Sequence, residues 1–303
     1  MDAPPPPPPP GLLTAAQLGA FARDGYLLLP GWLSERDMAA MRACAADVVA
    51  QFDAATVSVF STDEQTRTSD EYFLSSGDQV RCFLEERALG RDGALLRPRE
   101  ECINKIGHAL HTQLPPFRAA SFDARVAAVC ASLGFADPRV AQSMYIMKGA
   151  HIGGEVRPHV DGAFLYTAPQ TCLGFWWPLA DCTTRNGCLW AVPGSHARPV
   201  ARRFRRAAGG GGGTEFDPPE PQPFDLTGAV PLEVPAGTLV LLHAALVHYS
   251  EANTSAAARH AYSIHVVEGG KGTVYPADNW LQVPGGPRAF PALYPAAAAA
   301  ASS

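Results

Sequence analysis

Two histidines, one aspartate and one arginine have the residue types and the spacing that could assemble an open metal site. His159 and Asp161 form a His-x-Asp pair, His248 follows after a long gap, and Arg259 lies eleven residues further on. Two imidazoles and one carboxylate on one face of an ion leave the opposite face free, which is typical of non-haem Fe(II) oxygenases. Arg259 carries a planar, permanently charged guanidinium that suits a carboxylate. The set therefore predicts a site that holds a 2-oxo acid beside iron.

The spacing alone leaves other metals open. Side chains two residues apart in an extended segment point to the same side, so His159 and Asp161 can reach one ion. His248 ends the apolar stretch 239–248, and His243 in that stretch faces the opposite side if the strand is regular. A lone His-x-Asp pair is common by chance, and both residue types also bind zinc in hydrolases. The arginine, and the lack of a His-Glu-x-x-His motif in the sequence, favour iron over hydrolytic zinc.

The other histidines are expected to be surface residues, or core residues with satisfied hydrogen bonds. His196 is the exception to consider, because it follows the turn 193–195 near the expected site. The histidines in this group are His108, His111, His151, His196, His243, His260 and His265.

Composition indicates a globular protein with one large core. The chain has 303 residues, of which 47% are hydrophobic and 17% charged, and we expect a single domain over 12–294. A net charge of −5 argues against broad nucleic-acid binding. The seven cysteines form no Cys-x-x-Cys pair, so we expect reduced thiols rather than a disulfide framework or a zinc knuckle.

Targeting signals are absent from the sequence as given. It has no apolar run of about 18 residues that could span a membrane. No basic segment followed by an apolar one marks a secretory signal, and the last residues, Ala-Ser-Ser, are not a peroxisomal address. We therefore expect a cytoplasmic protein that does not bind membranes.

Three segments have compositions that predict disorder. The leader 1–11 contains an unbroken proline run, and the tail 295–303 is rich in alanine. The insert 207–223 holds five consecutive glycines and four prolines, and it lies inside the domain. A basic run of arginines precedes this insert, and either a solvated face or a site for phosphates such as those of coenzyme A would explain it. Its members are Arg198, Arg202, Arg203, Arg205 and Arg206.

Helices are predicted at the start of the chain and strands after residue 140. Capping boxes of Thr14 with Gln17 and of Ser34 with Asp37 begin the first two helices, and Gly25 ends the first. The predicted helices are 15–24, one from 35 with Met38, Met41, Ala45 and Val48 on its apolar face, 104–111 and 121–133. The predicted strands are 26–29, 142–148, 173–179, 188–192, 238–248 and 261–267. Many short strands after a helical start predict a mainly β fold of the jelly-roll type with flanking helices.

At several of these places the sequence resembles the phytanoyl-CoA dioxygenase family. The resemblance extends over about 12–294, and three further segments, 73–77, 104–111 and 279–282, resemble one subgroup of that family. The segments that carry the family resemblance are 24–26, 30–32, 143–148, 153–155, 158–161, 186–190 and 193–196.

The resemblance implies a double-stranded β-helix fold with Fe(II), 2-oxoglutarate and O2 as cofactor and co-substrates. It places His159, Asp161 and His248 on the iron, and Arg259 and Ser250 on the distal carboxylate of 2-oxoglutarate. It also implies that four further residues line the co-substrate pocket, although Val160 stands where relatives often carry glutamine. These four residues are Lys105, Met144, Val160 and Trp176.

The function expected from these residues is a dioxygenase that decarboxylates 2-oxoglutarate to succinate and CO2 and hydroxylates a small organic substrate. Asp161 fills the position that a halide would need, which favours hydroxylation over halogenation. A sensor that binds iron and 2-oxoglutarate with only uncoupled turnover is the alternative. The family name suggests an acyl-CoA or a related acid as substrate, but neither the substrate nor the oligomeric state follows from the sequence.

Overall fold

The computed structural model consists of β-sheets that enclose a cavity, with helices packed outside. The structure describes residues 8–52, 58–59, 71–85, 88–90, 94–208, 213–220, 223–270 and 272–294. The helices are α1 (Ala15–Asp24), α2 (Glu35–Gln51), α3 (Glu71–Leu74), α4 (Leu110–Gln113), α5 (Pro115–Ser121) and α6 (Ala124–Ser132). The strands are β1 (Tyr26–Leu29), β2 (Ser58–Val59), β3 (Val80–Leu84), β4 (Ile103–His108), β5 (Pro138–Lys148), β6 (Val156–His159), β7 (Leu173–Pro178), β8 (Leu189–Ala191), β9 (Arg203–Arg206), β10 (Thr214–Asp217), β11 (Val230–Leu232), β12 (Leu239–His243), β13 (His248–Ser250) and β14 (Arg259–Glu268).

Local signals in the sequence set the first elements. Both predicted capping boxes are present, since the Thr14 and Ser34 hydroxyls accept the backbone N–H groups of Gln17 and Asp37. Gly25 ends α1 with φ of 79°, a left-handed conformation that glycine adopts without steric cost. The apolar face of α2 is confirmed at its first three positions, whereas Val49 rather than Val48 is the fourth buried residue.

Two sheets face each other across the cavity. The major sheet has the strand order β1-β12-β7-β14-β5-β4-β3-β2, and all its pairs are antiparallel except β2 with β3. The minor sheet has the order β11-β8-β13-β6, and β9 and β10 form a separate hairpin. Because side chains alternate along a strand, one face of the major sheet packs on the helices and the other lines the cavity. The predicted mainly β fold with flanking helices is confirmed.

Two predicted elements differ from the structure. The helix expected over 104–111 is wrong, because most of that segment is β4, which is hydrogen-bonded to β3 and β5 on its two sides. Pairing on both sides outweighs a helical pattern that Gly107 already weakens. The strand expected over 238–248 is two strands, β12 and β13, which belong to different sheets. The helix expected over 121–133 is α6, which begins after the Asp123 cap.

The hairpin of β9 and β10 changes the interpretation of the insert and of the basic run. β10 lies within 207–223 and pairs with β9, so that part of the insert is ordered, while 209–212 and 221–222 lie outside the described residues. Arg203 and Arg205 form ion pairs with Asp278, and Arg206 donates to two backbone carbonyls. These three arginines therefore hold the hairpin in place, whereas Arg198 of the same run is exposed.

No helix in the described ranges is long and apolar enough to cross a membrane.

Candidate metal and co-substrate site

The structure brings His159, Asp161 and His248 together at one point of the cavity. One ligand atom of each lies within 4.8 Å of the others. The Asp161 Oδ1 atom is 3.7 Å from His159 Nε2 and 3.6 Å from His248 Nε2. His159 ends β6, and its partner in the neighbouring strand is His248 at the start of β13. Asp161 follows in a 3-10 turn after the extended Val160, as the two-residue spacing predicted.

Backbone carbonyls orient both imidazoles toward this point. His159 Nδ1 donates to the Arg157 carbonyl at 2.8 Å, and His248 Nδ1 donates to the Leu246 carbonyl at 3.0 Å. With Nδ1 protonated, each Nε2 keeps its lone pair. Histidines that bind metals are fixed in this way by a carbonyl on the other nitrogen. The donor set and its tautomers therefore fit a divalent ion with two histidine ligands and one carboxylate ligand.

Asp161 has a further neighbour that the sequence did not reveal. His265 Nε2 lies 3.2 Å from Asp161 Oδ2, and His265 Nδ1 lies 3.1 Å from Gln142 Nε2. Gly174 leaves room for this contact, since a Cβ there would be 3.0 Å from Asp161 Oδ2. His265, expected to be a surface or satisfied core residue, is a buried residue in close contact with Asp161 Oδ2, although that oxygen has no partner with hydrogen-bond geometry among the described residues.

The imidazoles keep Asp161 ionised. Burial alone would raise the pKa of this carboxyl, but His265 and His248 lower it below its ordinary range. Burial lowers the pKa of His159 to about 4, and His248 acts in the same direction. A metal needs an ionised carboxylate and a neutral imidazole, so these shifts favour the ligand forms of Asp161 and His159 at neutral pH.

Arg259 is buried in the cavity wall with most of its donors unused. Its side chain begins β14 and is only 1% exposed, and Nη2 donates to the Gly187 carbonyl at 2.8 Å. The Nε and Nη1 atoms have no hydrogen-bond partner in the part of the chain that the structure describes. The guanidinium also lies over the Trp176 ring, 5.4 Å from its centroid. A buried cation with unused donors is costly unless an anion completes it.

Lys148 adds a second cation beside Arg259 that the sequence analysis did not single out. The two residues are partners in the β5–β14 register. Lys148 Nζ donates to Ser250 Oγ at 2.9 Å and to the carbonyls of Gly154 and Glu251 at 2.8 and 2.5 Å. Burial and the charge of Arg259 lower the pKa of Lys148 to about 7. Ser250, which was predicted to assist Arg259, thus also accepts a hydrogen bond from Lys148. Strand pairing, and not a local sequence pattern, places that lysine beside Arg259.

All the predicted site residues line one cavity of about 1220 Å³. Lys105 projects from β4 and is buried, which lowers its pKa to about 7. Met144 and Trp176 lie on the cavity face of the major sheet, and Val160 is buried between the two ligand positions. Because β4 is a strand, Lys105 reaches the cavity, which a surface helix would not have allowed. His196, the suggested exception, packs instead against His243 and donates to the Ala22 carbonyl.

Comparisons with known proteins agree with this site. A family model described as Phytanoyl-CoA dioxygenase (PhyH) matches residues 21–261. A phytanoyl-CoA dioxygenase of Arabidopsis thaliana is 43% identical over 272 residues, covering 90% of this chain and 94% of the relative. The phytanoyl-CoA dioxygenase domain-containing protein 1 of Mus musculus is 44% identical over 290 residues, with 93% and 99% covered.

Solved structures confirm the predicted fold. The non-haem α-ketoglutarate-dependent carbocyclase SnoK of nogalamycin biosynthesis superimposes with a TM-score of 0.59 at 20% identity, covering 88% of this chain and 87% of its own. EctD from S. alaskensis with bound Fe has a TM-score of 0.56 at 24% identity, covering 84% and 76%. At these identities the similarity shows the shared double-stranded β-helix fold.

Proposed function

The chain belongs to the phytanoyl-CoA dioxygenase family and is a 2-oxoglutarate-dependent dioxygenase of the Fe(II) type, and from this we propose that it hydroxylates a small organic molecule held in the cavity beside the triad. Hydroxylation is coupled to conversion of 2-oxoglutarate and O2 into succinate and CO2. The observation that carries the proposal is Arg259, a buried guanidinium in the same cavity as the triad, whose Nε and Nη1 atoms have no hydrogen-bond partner among the described residues. A dicarboxylic co-substrate would supply one carboxylate for the Arg259 donors and a second one near the triad.

In this proposal His159 and His248 would hold the iron through their Nε2 atoms, and Asp161 would hold it through Oδ1. Bound Fe(II) supplies the redox chemistry and the positions for 2-oxoglutarate and O2. His265 Nε2, 3.2 Å from Asp161 Oδ2, would help to orient the carboxylate so that Oδ1 faces the ion. As a ligand, Asp161 would fill a position that a halide would need, which favours hydroxylation over halogenation.

The charged end of the cavity binds the distal carboxylate of 2-oxoglutarate. Arg259 donates to this carboxylate through Nε and Nη1. The Ser250 hydroxyl accepts a hydrogen bond from the Lys148 ammonium and can donate its own hydrogen to the carboxylate. Trp176 packs beside the guanidinium and fixes its plane. Lys105, Met144 and Val160 line the same cavity.

The size of the cavity supports a primary substrate over a sensor. Sites for drug-sized ligands have volumes of about 300–1,000 Å³, and this cavity exceeds that range while 2-oxoglutarate needs only part of it. The family name suggests an acyl-CoA. The arginines of β9 are engaged in ion pairs and backbone contacts, so they give coenzyme A phosphates no open site there.

Removing a ligand tests the proposal. Asp161→Ala and His248→Ala should each reduce Fe(II)-dependent release of succinate from 2-oxoglutarate to the level without protein, measured by mass spectrometry of the products. His243→Ala is the matched control, because His243 is a partly buried histidine of β12 that does not line the cavity. Turnover retained in both ligand variants would overturn the assignment of the triad.

A further inference from the structure

Two buried histidines three residues apart differ in how fully they are hydrogen-bonded. His111 Nδ1 bonds Ser143 Oγ at 2.9 Å, and its ring also bonds the backbone of Val140. His108 Nδ1 bonds Ser76 Oγ at 2.8 Å, but His108 Nε2 has no hydrogen-bond partner among the described residues. His111 is therefore a satisfied core residue, whereas His108 keeps one nitrogen for something else.

The hydrogen bonds of Ser76 determine which nitrogen of His108 carries no proton. Ser76 Oγ donates to the Phe73 carbonyl at 2.6 Å, so its hydrogen is used. It must then accept from His108 Nδ1–H, which leaves His108 Nε2 as an unprotonated acceptor. Burial, together with the charge of Lys105, holds the pKa of His108 well below its ordinary value, so the ring stays neutral. His108 is 0% exposed and lines the cavity, and we call the part of the cavity beside it the deep end.

A continuous row of aromatic rings leads from the metal site toward His108. The ring of Phe164 is 6.0 Å from that of His159 and 5.5 Å from that of Phe204. Phe204 in turn lies 6.5 Å from Phe73.

The row ends at His108. Phe73 stacks on Trp280 at 4.4 Å, and the Trp280 ring meets the His108 ring edge-on at 5.1 Å. All four rings of this row line the cavity, and we call them the aromatic wall: Phe73, Phe164, Phe204 and Trp280.

We propose that the primary substrate is a neutral, mainly apolar molecule that lies along the aromatic wall and donates a hydrogen bond, from a hydroxyl or an N–H group, to His108 Nε2. This inference rests on the proposed function and specifies its substrate class. A carboxylate cannot donate, and its oxygens would face the lone pair of Nε2. An ammonium would meet the nearby charge of Lys105, which acts on the same ring. A neutral donor is the group that this end of the cavity accepts.

The test compares probes that differ only in the donor. Cyclohexylmethanol, 2-naphthol and indole are paired with cyclohexylmethyl methyl ether, 2-methoxynaphthalene and 1-methylindole, and 2-naphthoate is the anionic probe. Dissociation constants are measured by calorimetry, without oxygen, on full-length protein loaded with Fe(II) and 2-oxoglutarate. We expect at least one donor probe to bind about tenfold more tightly than its methylated partner, as for a hydrogen bond to a buried acceptor.

Variants at His108 test whether the tighter binding of donor probes depends on His108 Nε2. His108→Phe should remove this preference while keeping a ring beside Trp280, and His108→Gln, which returns an amide oxygen near the place of Nε2, should restore part of it. His111→Phe is the matched control, since it replaces a buried histidine that does not line the cavity, and it should keep the preference. Circular dichroism and the melting temperature verify that each variant is folded.

The outcomes separate this inference from the proposed function. If no donor probe is preferred by the native protein, if the preference survives in His108→Phe, or if 2-naphthoate binds more tightly than 2-naphthol, the assignment of His108 is wrong. The proposed function fails by a different result, namely no Fe(II)-dependent succinate release by the native protein. Because binding is measured without oxygen, neither result depends on the other.

Discussion

The two ends of the cavity are built in opposite ways. The charged end combines Arg259 and Lys148, which strand pairing places side by side, with Ser250 of the minor sheet. The deep end combines His108 with the aromatic wall, whose rings come from four separate segments of the chain. The charged end suits one fixed anion, and the deep end suits an apolar body with a single polar contact. Charge thus selects the co-substrate at one end of the cavity, and shape selects the substrate at the other end.

Removing the guanidinium of Arg259 should have the largest effect on the charged end. Arg259→Ala should weaken binding of 2-oxoglutarate by about a hundredfold, because losing one partner of a buried charge pair costs about 2–5 kcal/mol. Fe(II) affinity should change far less, and both constants can be measured by calorimetry. Arg203→Ala makes the same change on β9 near the deep end, and it should leave the affinity for 2-oxoglutarate unchanged. An equal loss in both variants would contradict the division of roles.

His265 lies beside the metal site, where it approaches Asp161 Oδ2 and contacts Gln142. His265→Ala should weaken Co(II) or Fe(II) binding by about tenfold, the lower part of the range for residues that orient metal ligands. The visible spectrum of the Co(II)-loaded protein should change as well, since Asp161 is then free to turn its second oxygen to the ion. His260→Ala, on the opposite face of β14 and bonded to Tyr145, is the control. Unaltered metal affinity in His265→Ala would exclude a positioning role.

Proton uptake should be confined to the charged end. The pKa of Lys148 is about 7 because of burial and Arg259, and a bound carboxylate would raise it. Binding of 2-oxoglutarate then takes up a proton above pH 7, so affinity should fall about threefold to tenfold from about pH 6.5 to about pH 8.5.

Calorimetry of Mn(II)-loaded protein in buffers of different ionisation enthalpy measures that uptake. Lys148→Met should abolish most of it, and an uptake that persists in Lys148→Met would place the titrating group elsewhere, with Lys105 as the next residue to test.

The charged end was largely predictable from the sequence, and the deep end was not. Ligands and an anion-binding arginine are rare residue types in apolar strands, so His159, Asp161, His248 and Arg259 stood out by type and spacing. Lys148 and His265 share the cavity face with them only because β5 and β14 pair in one register, which no local pattern fixes. Single-domain organisation and a cytoplasmic location stay predictions.

Aromatic residues carry no comparable signal, because most of them in any globular protein belong to the core. Phe73, Phe204 and Trp280 meet through α3, the β9–β10 hairpin and a late loop, and part of that hairpin was expected to be disordered. The wrong prediction of a helix over 104–111 also prevented the position of His108 in the cavity wall from being predicted. Contacts between distant segments decided these positions, and local propensity did not.

The pairing of His159 with His248 has a consequence for how the protein keeps its shape. β6 is the outer strand of the minor sheet, and among the described residues β13 is the strand that pairs with it, so the other side of β6 has no strand partner there. A metal ion bound by residues of both strands would hold β6, at this edge of the sheet, against β13 and oppose its separation. Metal loss and local unfolding of that margin would then be linked equilibria, and chelation would expose the strand as well as stop the chemistry.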